Sequence, residues 1–310
     1  LYNVNTFNLN IMINKNKFSN IKRLSKSDVE AGKTREILNG LNFMQTGTKQ
    51  GIYHPNHEYF QEKIAEVLQT ENLEAIIAQR LAFNTKVSKI NGLDDLALHF
   101  NGFYRTHEAS DGVIVNKHNF QNVGIAVMNA DCPIITLKAD LDEKTQYVAV
   151  CHSGLNNLDN LKTNDSIVET AINLLVSKNI DPSEILMHIG GSALECCYGF
   201  KTDNLEWQAK NQARADRLSN TYGSDVIGAI INEPRAGGIS FNMPLIAIRQ
   251  AEKLGVFKIS LDDLCTSCHG HNSMSEMNTF GTYYSSLREN KSFEGVEGKK
   301  YQSRNFVLVK

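Results

Sequence analysis

The chain has 310 residues, a formal net charge of −2 at pH 7 and a hydrophobic fraction of 41%. A protein of this length buries roughly 75% of its unfolded surface, so a sizeable core is expected. The near-neutral balance offers no basic field for phosphate backbones, and no run approaches the ~18 apolar residues of a membrane span, so neither nucleic acid nor membrane is an expected partner.

The first twenty residues hold seven Asn, and Lys15, Lys17, Lys22, Arg23 and Lys26 follow closely. Residues 1–45 therefore read as a polar arm with irregular structure, and 46–310 as a single domain. The stretch from Leu9 to Asn14 is too short and polar for a signal h-region, so a cytoplasmic protein is expected, with its six cysteines reduced. Apolar residues three and four apart predict helices over Tyr59–Leu68 and Leu73–Leu81. From residue 120 the pattern changes. Val123–Met128, Pro133–Leu137 and Tyr147–Cys151 are short apolar runs rich in β-branched residues and predict strands. Ile167–Lys178 predicts a helix capped by Thr163 or Asn164, and Asp181-Pro182 stops it. Glu184–Ile189 and Val226–Ile231 predict strands. Pro244–Leu254 predicts a helix with Pro in its first turn and Gly255 at its end, and Phe306–Val309 a last strand. Strands and helices interleave without a Gly/Ser linker, which predicts one α/β domain: a mixed sheet with flanking helices.

Several segments carry candidate chemistry. Asn129-Ala130-Asp131-Cys132-Pro133 lies between two predicted strands, so Cys132 is held at a strand end, where Pro133 fixes the turn. Ala149-Val150-Cys151-His152-Ser153-Gly154 puts His152 directly after the next strand. Adjacent strands lie ~4.8 Å apart, so the Cys132 sulfur and the His152 imidazole can share one zinc ion or one proton. Ile189-Gly190-Gly191-Ser192 runs from a strand into a turn whose N–H groups can cradle an anion. Cys265-Thr266-Ser267-Cys268-His269 reads as C-x-x-C-H, the pattern of covalent haem attachment, or as half a zinc site with His269 or His271. Haem attachment needs an export signal and is set aside. Arg288, in Tyr283-Tyr284-Ser285-Ser286-Leu287-Arg288, suits a phosphate or carboxylate.

In this order, these segments resemble the laccase-domain family, whose members are also called polyphenol oxidase-like or purine nucleoside phosphorylase-like proteins. Ala130-Asp131-Cys132-Pro133 matches its Ala-Asp-Cys-Pro motif, and His152-Ser153-Gly154 opens its His-x-Gly-Trp-Arg-Gly motif. Ile189-Gly190, Cys197-Tyr198, Cys265-Thr266 and Ser286-Leu287-Arg288 match the later ones. The resemblance implies a single-domain fold related to the catalytic domain of cytotoxic necrotizing factor, a glutamine deamidase with a Cys nucleophile and a His base. It also implies zinc, rather than copper, held by a His, the Cys and a second His, and an enzyme that phosphorolyses purine nucleosides or deaminates adenosine. Candidate catalytic residues are then Asp131, Cys132, His152 and Arg288. Gly190, Gly191, Ser286 and Arg288 stand on the substrate and phosphate side.

The sequence departs from the family pattern at three places. Phe83, in Leu81-Ala82-Phe83-Asn84, stands where the first zinc His belongs. Leu155-Asn156-Asn157 replaces Trp-Arg-Gly, and Gly191 replaces the Pro of Ile-Gly-Pro. His107 is the candidate substitute ligand beside Cys132 and His152. Three readings follow: a zinc enzyme on purine nucleosides, a metal-free Cys–His amidase or deamidase, and a non-catalytic binding protein of the same fold.

Overall fold

The computed structural model describes residues 21–25, 28, 38–45, 57–194, 198–200, 204–229, 238–262, 265, 292–294, 300–302 and 305–310. In chain order the elements are β1 (Lys22–Leu24), β2 (Phe43–Gln45), α1 (Phe60–Thr70), β3 (Ala75–Ala78), β4 (Val87–Ile90), β5 (Leu96–Phe100), β6 (Phe103–Thr106), β7 (Gly112–Asn116), β8 (Val123–Asn129), β9 (Ile134–Asp142) and β10 (Thr145–His152). Then come α2 (Leu155–Leu158), α3 (Ile167–Val176), β11 (Leu186–Ile189), β12 (Gly199–Phe200), α4 (Leu205–Tyr222), β13 (Ile227–Ala229), β14 (Ile239–Phe241), α5 (Met243–Lys253), β15 (Lys258–Asp262), β16 (Ser292–Glu294), β17 (Lys300–Gln302) and β18 (Asn305–Val309). Among the described residues, no helix is long and apolar enough to cross a membrane.

Two mixed sheets dominate. One runs β1-β15-β11-β9-β10-β7-β4 and the other β2-β18-β8-β3-β6-β5. Side chains alternate across each strand, so one strand feeds two cores. On β10, Val148 and Val150 join the core between the sheets, while Ala149 and Cys151 join the core under α2–α5. The outer face of the second sheet packs on α1 through Phe60, Ile64 and Val67. The layers are therefore helix, sheet, sheet, helix, as the α/β expectation with flanking helices requires.

The structure changes some local expectations. Leu73–Leu81 does not form a helix. Ala75–Ala78 is a strand with parallel neighbours on both sides, β6 and β8. Ala75 and Ile77 face one core and Ile76 and Ala78 the other. A strand covered on both faces reads as a continuous apolar run, which short-range spacing confuses with a helix. The N-cap of α3 is Ser166, whose Oγ accepts the Val168 N–H at 3.1 Å, and neither Thr163 nor Asn164. Within the segment read as arm and irregular structure, β1 pairs with β15 and β2 with β18. The predicted α5 stands as expected, with Asn242 as cap, Pro244 in the first turn and Gly255 at φ 87 beyond the end.

Gly190 shows why the Ile189-Gly190 segment needs a glycine. A Cβ there would sit 2.5 Å from Phe43 Cζ, and the Phe43 ring is fixed edge-on against buried His188 with centroids 4.6 Å apart. Gly190→Ala should therefore lower stability by about 1–3 kcal/mol through overpacking, read from urea denaturation. An unchanged midpoint would show that the ring moves aside freely.

Candidate functional site

Three neighbouring strands deliver the site. In the order β9-β10-β7, the central strand ends at His152, which pairs with Ile134 at the start of β9. Cys132 lies two residues before that start. On the other side Cys151 pairs with Gly112, the first residue of β7, and the His152 N–H bonds the Asp111 carbonyl at 2.7 Å. Sulfur, imidazole and carboxylate thus reach one end of the sheet from adjacent strands. One side-chain and one backbone bond fix the turn that carries the sulfur. Asn129 Nδ2 donates to the Cys132 carbonyl at 2.7 Å, and the Ser153 N–H to the Pro133 carbonyl at 2.9 Å.

His152 Nδ1 donates to Asp111 Oδ1 at 3.1 Å, and both side chains are buried. The Cys132 side chain also acts on the ring. Burial alone would push the imidazole down. The charge on Cys132, the hydrogen bonds from Asp111 and Cys132 and the Asp111 charge outweigh it, and His152 rises to about 9. For Asp111, burial would push the carboxyl up, but the bonds from His152 and from the Asn84 and Ala82 N–H groups hold it below the ordinary range. Cys132 is half-buried and within reach of a small reagent, whereas Cys151 and Cys265 are buried. Burial and then the Asp111 charge push Cys151 up to about 12. Among the described cysteines, Cys132 is the accessible one.

Gly154 makes room for that thiol. A Cβ at this position would lie 2.9 Å from Cys132 Sγ, 3.3 Å from Asn157 Oδ1 and 3.6 Å from His152 Cε1. Asn157, on α2, is buried; its Nδ2 donates to the Asn84 carbonyl, and its Oδ1 has no hydrogen-bond partner among the described residues. The 81–84 loop is therefore pinned from two directions. Asp111 Oδ2 accepts the Ala82 N–H at 3.0 Å and the Asn84 N–H at 2.9 Å. Between these anchors Phe83 stands at φ 55, a region that disfavours a bulky residue and costs about 1–3 kcal/mol. Its ring is 5.8 Å from the His152 ring, at 70°.

The structure sorts the residues expected from sequence. Cys132 and His152 meet. Phe83 does occupy the edge of their site, as the motif alignment placed it. His107 does not join them: it is exposed, its carbonyl takes a bond from Arg80 Nη1 at 2.7 Å, and its charge acts on Asp95. Asp131 is buried, but the carboxylate on the imidazole is Asp111. Gly190 cannot offer its N–H to an anion, because that N–H already bonds the Ile134 carbonyl at 2.9 Å. Gly191 is buried, and its carbonyl lies 3.5 Å from Gln45 Nε2. Cys265 forms a bridge with Ser192, and its sulfur lies 3.4 Å from the Leu194 N–H. Ser286, Arg288, Cys196, Cys197, Cys268, His269 and His271 lie outside the described residues.

Two further residues belong to the neighbourhood. Burial, then the charges of Cys132 and Asp131, raises the Tyr198 hydroxyl and keeps it protonated, and the Leu155 N–H donates to it. The Cys-Tyr motif was the signal for this residue. Arg214, on α4, is buried; its Nη2 reaches Asn156 Oδ1 at 2.8 Å and its Nε Asp159 Oδ2 at 3.0 Å. A guanidinium thus arrives from another helix at the position where the family motif carries Arg.

The zinc expectation meets a donor shortage. Structural and catalytic zinc sites draw at least three protein ligands. Here Cys132 and His152 are two, and Phe83 has no donor atom. Among the described residues, no three His, Cys, Asp or Glu side chains are grouped to hold a metal ion. The described residues do not fit the metal.

Because the raised His152 favours the protonated form in the fold, its contribution to stability is fully present below its ordinary value of 6.5. It is lost as pH rises through about 9. The urea midpoint should fall over this interval and should fall less in His152→Gln; equal pH dependence in both proteins would contradict the assignment. Gly154→Ala should displace the sulfur and slow alkylation of Cys132 by about tenfold, a cost of about 1.4 kcal/mol in barrier, while an unchanged rate would show the sulfur has room to spare.

Solved structures share this fold at low identity. The hypothetical protein YfiH of Bacillus licheniformis aligns with a TM-score of 0.59 and 15% identity, over 87% of this chain and 92% of that one. YlmD of Geobacillus stearothermophilus aligns with a TM-score of 0.58 and 16% identity, over 87% and 89%. A Neisseria meningitidis protein of family DUF152 aligns at 0.53 and 15% identity, over 87% and 93%. No curated protein matches the sequence significantly. Residues 47–286 match the family described as multi-copper polyphenol oxidoreductase laccase, and the chain belongs to that laccase-like family.

Proposed function

We propose that the protein is a metal-independent cysteine amidohydrolase acting on a primary carboxamide. The observation that carries this reading is the arrangement itself: the half-buried Cys132 thiol and His152 meet over Gly154, and His152 Nδ1 is fixed on buried Asp111 at 3.1 Å. A cationic imidazole beside a thiol is the arrangement that supplies a thiolate nucleophile.

The Cys132 thiolate attacks the carboxamide carbon, and the C–N bond breaks as the His152 imidazolium gives its proton to the departing nitrogen, which leaves as ammonia. The neutral imidazole then takes a proton from water. The resulting hydroxide cleaves the thioester, releases the carboxylic acid and restores thiolate and imidazolium. Asp111 holds the ring and favours its cationic form, as the third member of such a relay does.

The purine nucleoside reading rests on family likeness and needs a third metal donor that the described residues do not supply. Copper oxidation needs more donors still. Metal analysis separates them. The purified protein should carry well under one equivalent of zinc or copper, and iodoacetamide should label Cys132 at least ten times faster than Cys151 and Cys265. Stoichiometric metal that Cys132→Ala releases would restore the zinc reading, and equal labelling of all three thiols would leave a binding protein.

The acid step needs imidazolium, so turnover should decline as pH rises through about 9. Asp111→Asn removes one cause of the raised value and should move that alkaline limb to lower pH; about one unit corresponds to a tenfold loss between the two limbs. A limb that stays in place would show that Asp111 is structural only.

A further inference from the structure

Phe83 is 59% exposed, beside a site whose other side chains are buried or half-buried. Among the described residues, the other non-glycine positions at positive φ are Asn39, Asn72, Asn164 and Asn179, the residue type that tolerates that conformation. A phenylalanine there gains little burial and pays in backbone strain, so the fold itself gives no reason for it. Yet the position is held firmly. The N–H groups of both neighbours, Ala82 and Asn84, are gripped by Asp111 Oδ2, the carboxylate that orients the imidazole, and the Asn84 carbonyl is gripped by Asn157. The ring stands 5.8 Å from His152 and at 70° to it, so a large part of its surface faces solvent beside the nucleophile. Strain that persists at a clamped, exposed aromatic next to reacting groups points to a task outside the fold.

We infer that Phe83 sets substrate specificity: its ring is the platform on which a planar aromatic or heteroaromatic group of the substrate packs, bringing an attached or neighbouring carboxamide to Cys132. The inference rests on the thiol chemistry proposed above and adds its substrate class. Aromatic rings attract one another at centroid separations of 4.5–7 Å beyond what area burial supplies. The 5.8 Å spacing already present between Phe83 and His152 shows that rings pack at this distance here.

The test compares two alkylating probes of the same warhead on the full chain, iodoacetanilide and iodoacetamide, with the Cys132 adduct quantified by mass spectrometry. The preference for the anilide, normalised to glutathione, should be about fivefold in the natural protein, equivalent to ~1 kcal/mol of ring packing. It should persist in Phe83→Tyr and fall to that of glutathione in Phe83→Ala and Phe83→Leu, the leucine retaining apolar bulk without a planar face. A preference unchanged by Phe83→Ala, with Cys132 still reactive, overturns the platform alone. A Cys132 that iodoacetamide labels no faster than Cys151 overturns the platform and the thiol chemistry together.

Discussion

The ion pair between Asp111 and His152 is the interaction on which the rest of the site depends. It exists because β7 and β10 are hydrogen-bonded neighbours, in a register that sets Gly112 opposite Cys151. The residue before Gly112 and the residue after Cys151 then meet twice, once through backbone at 2.7 Å and once through side chains at 3.1 Å. A buried carboxylate and a buried imidazole are each costly to strand without a partner. Together they fix the ring, and Cys132, just before β9, and then Asp111 favour its cationic form. The other carboxylate oxygen organises the 81–84 loop, so one buried Asp sets the imidazole and the rim of the site at the same time.

That economy bears on how the site relates to its family. A family metal site takes a His at the position of Phe83; this chain has a side chain with no donor there, and retains the strands, the Cys and the second His. A zinc ion and an imidazolium are alternative positive partners for one thiolate. Phe83 brings no donor atom to that position, and the Cys132 side chain and then Asp111 raise the imidazole. Arg214 reaching Asn156 is of the same kind: a guanidinium absent from the motif in sequence is present near its place in space.

The sequence carried much of this, and the failures have identifiable causes. The strand tips holding Cys132 and His152 were legible because apolar β-branched runs end abruptly at polar residues. Phe83 was placed correctly by motif order. Asp111 was not found, since its role comes from cross-strand register, which one-dimensional spacing does not express; the Asp-Gly step ahead of an apolar strand was its faint trace. Asp131 drew attention by standing beside Cys132 in the chain, but the carboxylate on the imidazole is Asp111. His107 is close to Asp111 in sequence but lies on the exposed turn between β6 and β7. Gly190 was read as an anion cradle when packing against Phe43 explains it. The helix expected over Leu73–Leu81 failed because burial on both faces erases the two-residue period of a strand.

The central claim is a statement about the charge of one imidazole, and it is open to direct observation. NMR titration of the His152 ring carbons and nitrogens should show a cation that persists to a midpoint of about 9, with Nδ1 protonated throughout and a downward move when Cys132 is replaced by Ala. A midpoint near the ordinary 6.5, insensitive to that replacement, would contradict the account.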